Sequence, residues 1–180
     1  MSGPNAPPQQ GQQSYRTPKP FLDAVLRRLG AESFVWDLAC TTTDCVGVCG
    51  GYAFPDVDAL AEDWRVHARV EPQLWRWLNP PFGQAKDFAR KCAESGARIA
   101  ALVPVALGTK WWREYVHGRA VVLGVGRLVF DLPDGTRMPA GINRDCALLV
   151  YGVTAEDMGT DPSPHAPAEP WYRCEDWRKW

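Results

Sequence analysis

ARIAALVPV, residues 97 to 105, is a nearly continuous apolar run. A strand with one wet face alternates apolar and polar residues, whereas an unbroken run of this length fits a strand covered on both faces, as in a parallel sheet between helices. The flanking sequence agrees with that reading. Before the run, Ala85, Phe88, Ala89 and Cys92 form an apolar stripe at helical spacing, and Gly96 stops the helix. After it, Thr109 to His117 reads as a helix closed by Gly118. Farther out, Gln73 to Leu78 reads as a strand that Pro80 and Pro81 halt, because both lack a backbone N–H and have fixed φ. Phe21, Leu22, Val25, Leu26 and Leu29 share a helical face, with Thr17 as cap, Pro18 at the first position and Gly30 at the end. Ser33 to Leu38 reads as a short strand ending at Asp37, and Tyr52 to Phe54 as a second one. Asp56 then caps a helix through Leu60 and Trp64. Ala120 to Val125, Leu128 to Phe130 and Ala147 to Tyr151 supply the last strands. This alternation predicts an α/β fold with an open, mostly parallel central sheet flanked by helices. Ligands of such sheets collect outside the carboxyl ends of the strands. Asp37 and Asn79 both stand at strand ends, so they should share one rim.

The 180 residues suffice for one domain, and 46% hydrophobic with 23% charged residues is a soluble, globular composition. No apolar run nears the roughly 20 residues that span a bilayer. MSGPNAPPQQGQQS lacks the basic start and apolar centre of a signal peptide and reads as a disordered lead-in. The expected organisation is a disordered segment over 1–15, a domain over 16–158 and a Pro-rich tail over 159–180, in a cytoplasmic protein with a monomer favoured. The tail ends in WYRCEDWRKW, whose tryptophans can dock on the domain. The net charge of −1 hides an asymmetry: residues 83 to 144 hold ten Lys/Arg against five Asp/Glu. A basic half of this kind can bind phosphates although the whole chain is nearly neutral. Cys40, Cys45 and Cys49 are close in sequence, but structural zinc takes four ligands and usually a tighter pair spacing. His67 or Cys92 could complete a site, yet nothing in the sequence points to either. Small buried thiols are favoured, and no metal is expected.

The chemistry is concentrated in WLNPPFG, residues 77 to 83. The exocyclic amine of a nucleobase is a weak nucleophile, because its lone pair is delocalised into the ring. A site that makes it attack a methyl group should accept hydrogen bonds from both amine protons and draw the nitrogen toward sp3 geometry. The Asn79 side-chain carbonyl and the Pro80 backbone carbonyl can accept them together, while Pro80 and Pro81 stiffen the turn and add no competing N–H. The ring of Phe82 can stack on a base that has left the duplex. Pro-Pro alone would be a strand stop with a hydrophobic anchor. The asparagine before it, the aromatic after it and the apolar strand leading in favour a catalytic role.

Asn79-Pro80-Pro81-Phe82 resembles the motif of amino-methyltransferases, whose N6-adenine members carry Asp/Asn-Pro-Pro-Tyr/Phe. The wider pattern resembles the phage-type DNA N6-adenine methyltransferase (Dam-like) family from about Thr17 to Tyr151. It includes TPKPFLDAVLRRLG, FVWDLAC, DVDALAEDW, LNPPFG, ALVPVALGTKWWREYV, GRLVF and CALLVYG. The resemblance implies a Rossmann-like methyltransferase fold, S-adenosylmethionine as methyl donor and adenine in DNA as acceptor, on a phage or other mobile element. Thr17-Pro18 resembles the element that closes over the donor's methionine part. Asp37, with Leu38 and Ala39, resembles the first-strand acidic motif beside the donor, without the fuller glycine-rich fingerprint. Asp56 has the spacing of a ribose-binding acid, but Asp58 matches the family's segment better and is favoured. Asn79 belongs to both the donor and the acceptor side. DLPDGTRMPAGINRD, residues 131 to 145, is the candidate DNA-recognition insertion. Arg137 and Arg144 there, with Lys110, Arg113 and Arg127, are the candidate DNA contacts. Two enzymatic neighbours share the amine chemistry, a cytosine-N4 and an RNA-adenine methyltransferase, although cytosine-N4 enzymes more often carry Ser-Pro-Pro. A non-catalytic DNA-binding protein on the same fold is the remaining alternative, and the intact motif argues against it.

Overall fold

A computed structural model describes residues 15–39, 58–132, 134–154, 157–158 and 172–180. The Cys40, Cys45 and Cys49 cluster, Asp56 and the Tyr52 to Phe54 strand lie outside the described residues.

Among the described residues the sheet has six strands, in the order β1-β2-β3-β5-β4-β6. They are β1 Trp36–Asp37, β2 Arg76–Leu78, β3 Ile99–Pro104, β4 Val121–Gly126, β5 Cys146–Tyr151 and β6 Tyr172–Cys174. β1, β2 and β3 run parallel, as do β4 and β6. β5 lies antiparallel to both β3 and β4, so the sheet is mostly but not entirely parallel. Among the described residues four α-helices accompany it: α1 Lys19–Leu29, α2 Arg65–Val70, α3 Ala85–Ser95 and α4 Lys110–Tyr115. No described helix is long and apolar enough to cross a membrane.

All six residues of β3 are buried. Ile99, Ala101 and Val103 face Phe88, Ala89 and Cys92 of α3, with Trp112 of α4, in one core cluster. Ala100 and Leu102 face the other cluster, with Phe21 and Val25 of α1 and Trp77 of β2. Each large apolar side chain so enclosed contributes about 1.5–3 kcal/mol of burial. Gly152 follows β5 with φ 73°, and a Cβ there would stand 2.5 Å from the Ala97 carbonyl oxygen. Only glycine fits that close approach.

Three local expectations are corrected. Thr17 does not cap α1: Pro18 is its N-cap residue, without a side-chain cap, and the Phe21 and Leu22 N–H groups donate to the Pro18 carbonyl (3.0 and 3.2 Å). The expected helix through Leu60 and Trp64 is a turn, in which Leu60 N–H donates to the Asp58 carboxylate (2.9 Å) and Ala61 N–H to its carbonyl (2.8 Å). Helix starts only at Arg65, whose N–H donates to the Asp63 carboxylate (3.1 Å). Leu128 to Phe130 is not a sheet strand. It forms one side of a hairpin, with Ile142 N–H donating to the Leu128 carbonyl (3.2 Å) and Met138 N–H to that of Phe130 (2.9 Å).

Candidate active site

Strand direction decides which residues can meet. β1, β2, β3 and β4 all run toward one edge, and β5 starts from it, as the pairings of Cys146 with Pro104 and with Gly126 show. Asp37, Asn79, Arg127 and Arg144 therefore stand at or next to one rim. The match of Asp37 with Trp77, and the Leu38 N–H donated to the Trp77 carbonyl (2.9 Å), put Asp37 beside the end of β2, just before Asn79. Asp37 is buried, with its carboxylate accepting the Ala39 N–H (3.2 Å).

Asn79 follows the fully buried β2 and is itself half-buried. Pro80 is buried, Pro81 keeps an extended backbone (φ −52°, ψ 127°), and Phe82 opens a 3-10 turn that leads into α3. The two prolines thus end the strand and aim the next helix without any side-chain cap. Asn79 Nδ2 donates to the Tyr15 carbonyl at 3.5 Å. Tyr15, Asn79, Pro80, Phe82 and Phe130 surround a void of about 10 Å³. Phe130 meets Phe82 edge-on (centroids 6.3 Å, 73°) and Tyr15 at a tilt (6.2 Å). Sequence reading missed Tyr15 and Phe130. Tyr15 acts here through a backbone carbonyl, which leaves no side-chain signature.

The Tyr15 segment is stitched to the 131 to 145 region. Arg16 and Asp131 exchange both backbone hydrogen bonds (2.8 and 3.0 Å), and Asp131 also bridges Arg137. One residue on, Thr17 is 3% exposed, and its hydroxyl has no hydrogen-bond partner among the described residues. Pro18 is buried beside it. A buried hydroxyl without a partner costs stability, so a polar ligand at the rim would satisfy an existing need. Asp58 belongs to a separate turn, which Lys91 of α3 holds by donating to the carbonyls of Leu60 (2.8 Å) and Glu62. Burial lowers the Lys91 pKa, and the charge of Asp58 is among those opposing that shift. A larger cleft of about 310 Å³ lies between this turn and the far half of α3, and none of the expected site residues lines it.

The five expected DNA-contacting cations are all exposed. Lys110 and Arg113 are on α4, which starts just after β3 reaches the rim. Lys110 pairs with Glu114 (3.5 Å), and Arg127 pairs with Asp145 (3.5 Å). Arg137 lies on the hairpin, near a tip where Thr136 lowers the Asp134 pKa by hydrogen bonding to its carboxylate. The basic surplus of residues 83 to 144 is not all at this edge. Arg98 and Arg119 precede β3 and β4 at the opposite end, and Arg98 lies over the Trp75 ring (5.7 Å). Among the described residues, no group of three His, Cys, Asp or Glu could hold a metal.

A family model described as DNA N-6-adenine-methyltransferase (Dam) matches residues 5–160. No curated protein matches the chain.

Proposed function

The chain belongs to the DNA N-6-adenine-methyltransferase (Dam) family, and on that premise we propose that it methylates adenine N6 in DNA at the Asn79 rim, by direct transfer to a flipped-out base. The observation that carries this reading is Asn79 itself. A family whose name specifies an amine acceptor has, at a parallel strand end of this chain, an amide anchored through its nitrogen and backed by two prolines. An amide that donates through Nδ2 presents Oδ1 as an acceptor.

The donor side fits S-adenosylmethionine. Thr17 offers a buried hydroxyl with no partner among the described residues, Pro18 an apolar wall, and Asp37, Leu38 and Ala39 the end of β1. Asp58 is assigned to the ribose. When bound, the donor supplies an electrophilic methyl group. The parallel half of the sheet, with α1 on one face and α3 and α4 on the other, supports a Rossmann-like assignment.

On the acceptor side, Asn79 Oδ1 and the Pro80 carbonyl accept from the two amine protons. These bonds strengthen as the nitrogen pyramidalises, so they favour the transition state over the ground state. Phe82 stacks on the base. The void beside Asn79 has room for about one water, so admitting a base requires the Tyr15–Phe130 wall to part. Lys110, Arg113, Arg127, Arg137 and Arg144 take phosphates or base edges around the rim. The direct test is to incubate the protein with methyl-labelled S-adenosylmethionine and mixed-sequence DNA and to digest the product to nucleosides. Label in N6-methyladenine is expected. Label in N4-methylcytosine, or none in DNA, would refute the assignment.

A further inference from the structure

The family match ends at residue 160, so residues 172–180 lie beyond it. This segment adds β6 to the sheet edge along β4, and its last residues pack against α1. Phe21 of α1 sits between Trp77 of β2 (centroids 6.4 Å) and Trp177 (5.2 Å, edge-on) and Trp180 (6.2 Å) of the segment. Arg28 donates Nε and Nη2 to the two carboxylate oxygens of Glu175 (3.2 and 3.3 Å), and Nη1 to the Met158 carbonyl (3.0 Å). Arg27 Nε donates to the Trp180 carbonyl (3.0 Å), and Trp180 Nε1 donates to Glu175 (2.8 Å). The Arg28 and Glu175 side chains are only 19% and 20% exposed. A two-pronged ion pair so enclosed fixes orientation as well as distance.

What these contacts hold is the helix that carries Thr17 and Pro18 at its start. Phe21 lies one turn after Pro18, and Trp77 lies two residues before Asn79. Glu175, Arg28 and the Phe21 cluster therefore hold the helix side of the Thr17 position, while the Arg16–Asp131 pair holds the chain before it. We infer that residues 172–180 are a clamp that positions α1 for the methyl donor, with Glu175 as its positioning residue. The inference rests on the donor reading given under the proposed function.

Calorimetry of the full-length protein with S-adenosylmethionine tests it. Glu175→Gln should raise the donor Kd by about fivefold or more, the low end of couplings between separate sites, and leave affinity for mixed-sequence DNA unchanged. Tyr172→Phe is the control. It removes the acceptor of the Trp112 Nε1 hydrogen bond (2.8 Å) at the other end of the segment, away from α1. It should lower Tm and leave the donor Kd as it is. An unchanged donor Kd in Glu175→Gln overturns the clamp, as does an equal shift in both variants, which would mean general loosening. Wild-type protein that binds no donor would instead overturn the proposed function, and the clamp with it.

Discussion

The side-chain nitrogen of Asn79 stands 3.5 Å from the carbonyl oxygen of Tyr15. This contact joins a strand end to a segment 64 residues earlier in the chain. It decides which side of the amide is left to accept, and an acceptor is what the amine chemistry needs. Tyr15 is held in turn by the Arg16–Asp131 backbone pair, so the hairpin after β4 braces the asparagine from outside the motif.

Phe82 should act in binding rather than in turnover. Its ring is half-buried and meets Phe130 edge-on. Base–aromatic stacking is worth about 1–3 kcal/mol and is present before and during methyl transfer alike. Phe82→Ala should weaken productive DNA binding by that amount, measured as a rise in DNA KM at nearly constant kcat. Phe82→Tyr should stay active. A fall in kcat alone for Phe82→Ala would assign the ring a different role.

Thr17→Val should separate stability from donor binding. Replacing a buried hydroxyl that has no partner among the described residues with a methyl group of similar shape should stabilise the free protein, by about 1 kcal/mol on the usual cost of an unsatisfied group. The same change takes a hydrogen-bonding group away from the methyl donor. Thermal unfolding should therefore rise while calorimetric affinity for S-adenosylmethionine falls. Unchanged donor affinity would remove Thr17 from the site.

The rim cations should set the salt dependence of DNA binding. Removing one phosphate-binding cation lowers the slope of log K against log salt by about 1. Lys110→Ala, Arg137→Ala and Arg144→Ala should each do so. Arg98→Ala and Arg119→Ala, which lie toward the opposite edge of the sheet, should leave the slope unchanged. Equal effects from both sets would mean that the charge surplus acts diffusely.

Alkaline pH should act through buried thiols. Burial, helped by the charge of Asp145, pushes the Cys146 thiol from an ordinary 9.0 to about 12. Burial also pushes the Cys92 thiol strongly up. A folded-state pKa above the unfolded one gives stability that is full below about pH 9 and lost as pH rises toward the folded value. Denaturant midpoints should thus fall from pH 9 upward. At pH 8, residue-resolved alkylation should label exposed Cys174 and spare Cys92 and Cys146. Rapid labelling of Cys146 in the folded protein would contradict the burial argument.

How much of the structure is legible in the sequence follows from the physics of each element. β3 is legible because burial on both faces leaves an unbroken apolar run, and α3 because its stripe ends on a glycine. The direction of β5 is not, since a buried strand carries the same pattern whichever way it runs. Leu60 and Trp64 lie at helical spacing, yet the Asp58 and Asp63 carboxylates bind nearby backbone N–H groups and hold a turn there instead. β6 is exposed at all three positions and offers no periodicity. Arg76 reads as an ordinary strand residue. In the fold it is fully buried, donates to the Leu74 and Glu71 carbonyls (2.6 and 3.1 Å), and has its pKa lowered by desolvation. The strand end at Asn79 and its prolines is legible because the cue is local, whereas the Tyr15 and Phe130 walls depend on contacts that only folding brings together.

The central claim is that Asn79 acts in the transition state, and single-turnover methyl transfer by Asn79→Ala tests it most directly. With S-adenosylmethionine and adenine-containing DNA both saturating, the rate should fall by about 10² to 10³, as when one preorganised partner is removed. Donor and DNA affinities should stay within a few-fold of wild type. Near-normal turnover by Asn79→Ala would contradict the account and leave Pro80 and Pro81 as no more than the end of a strand.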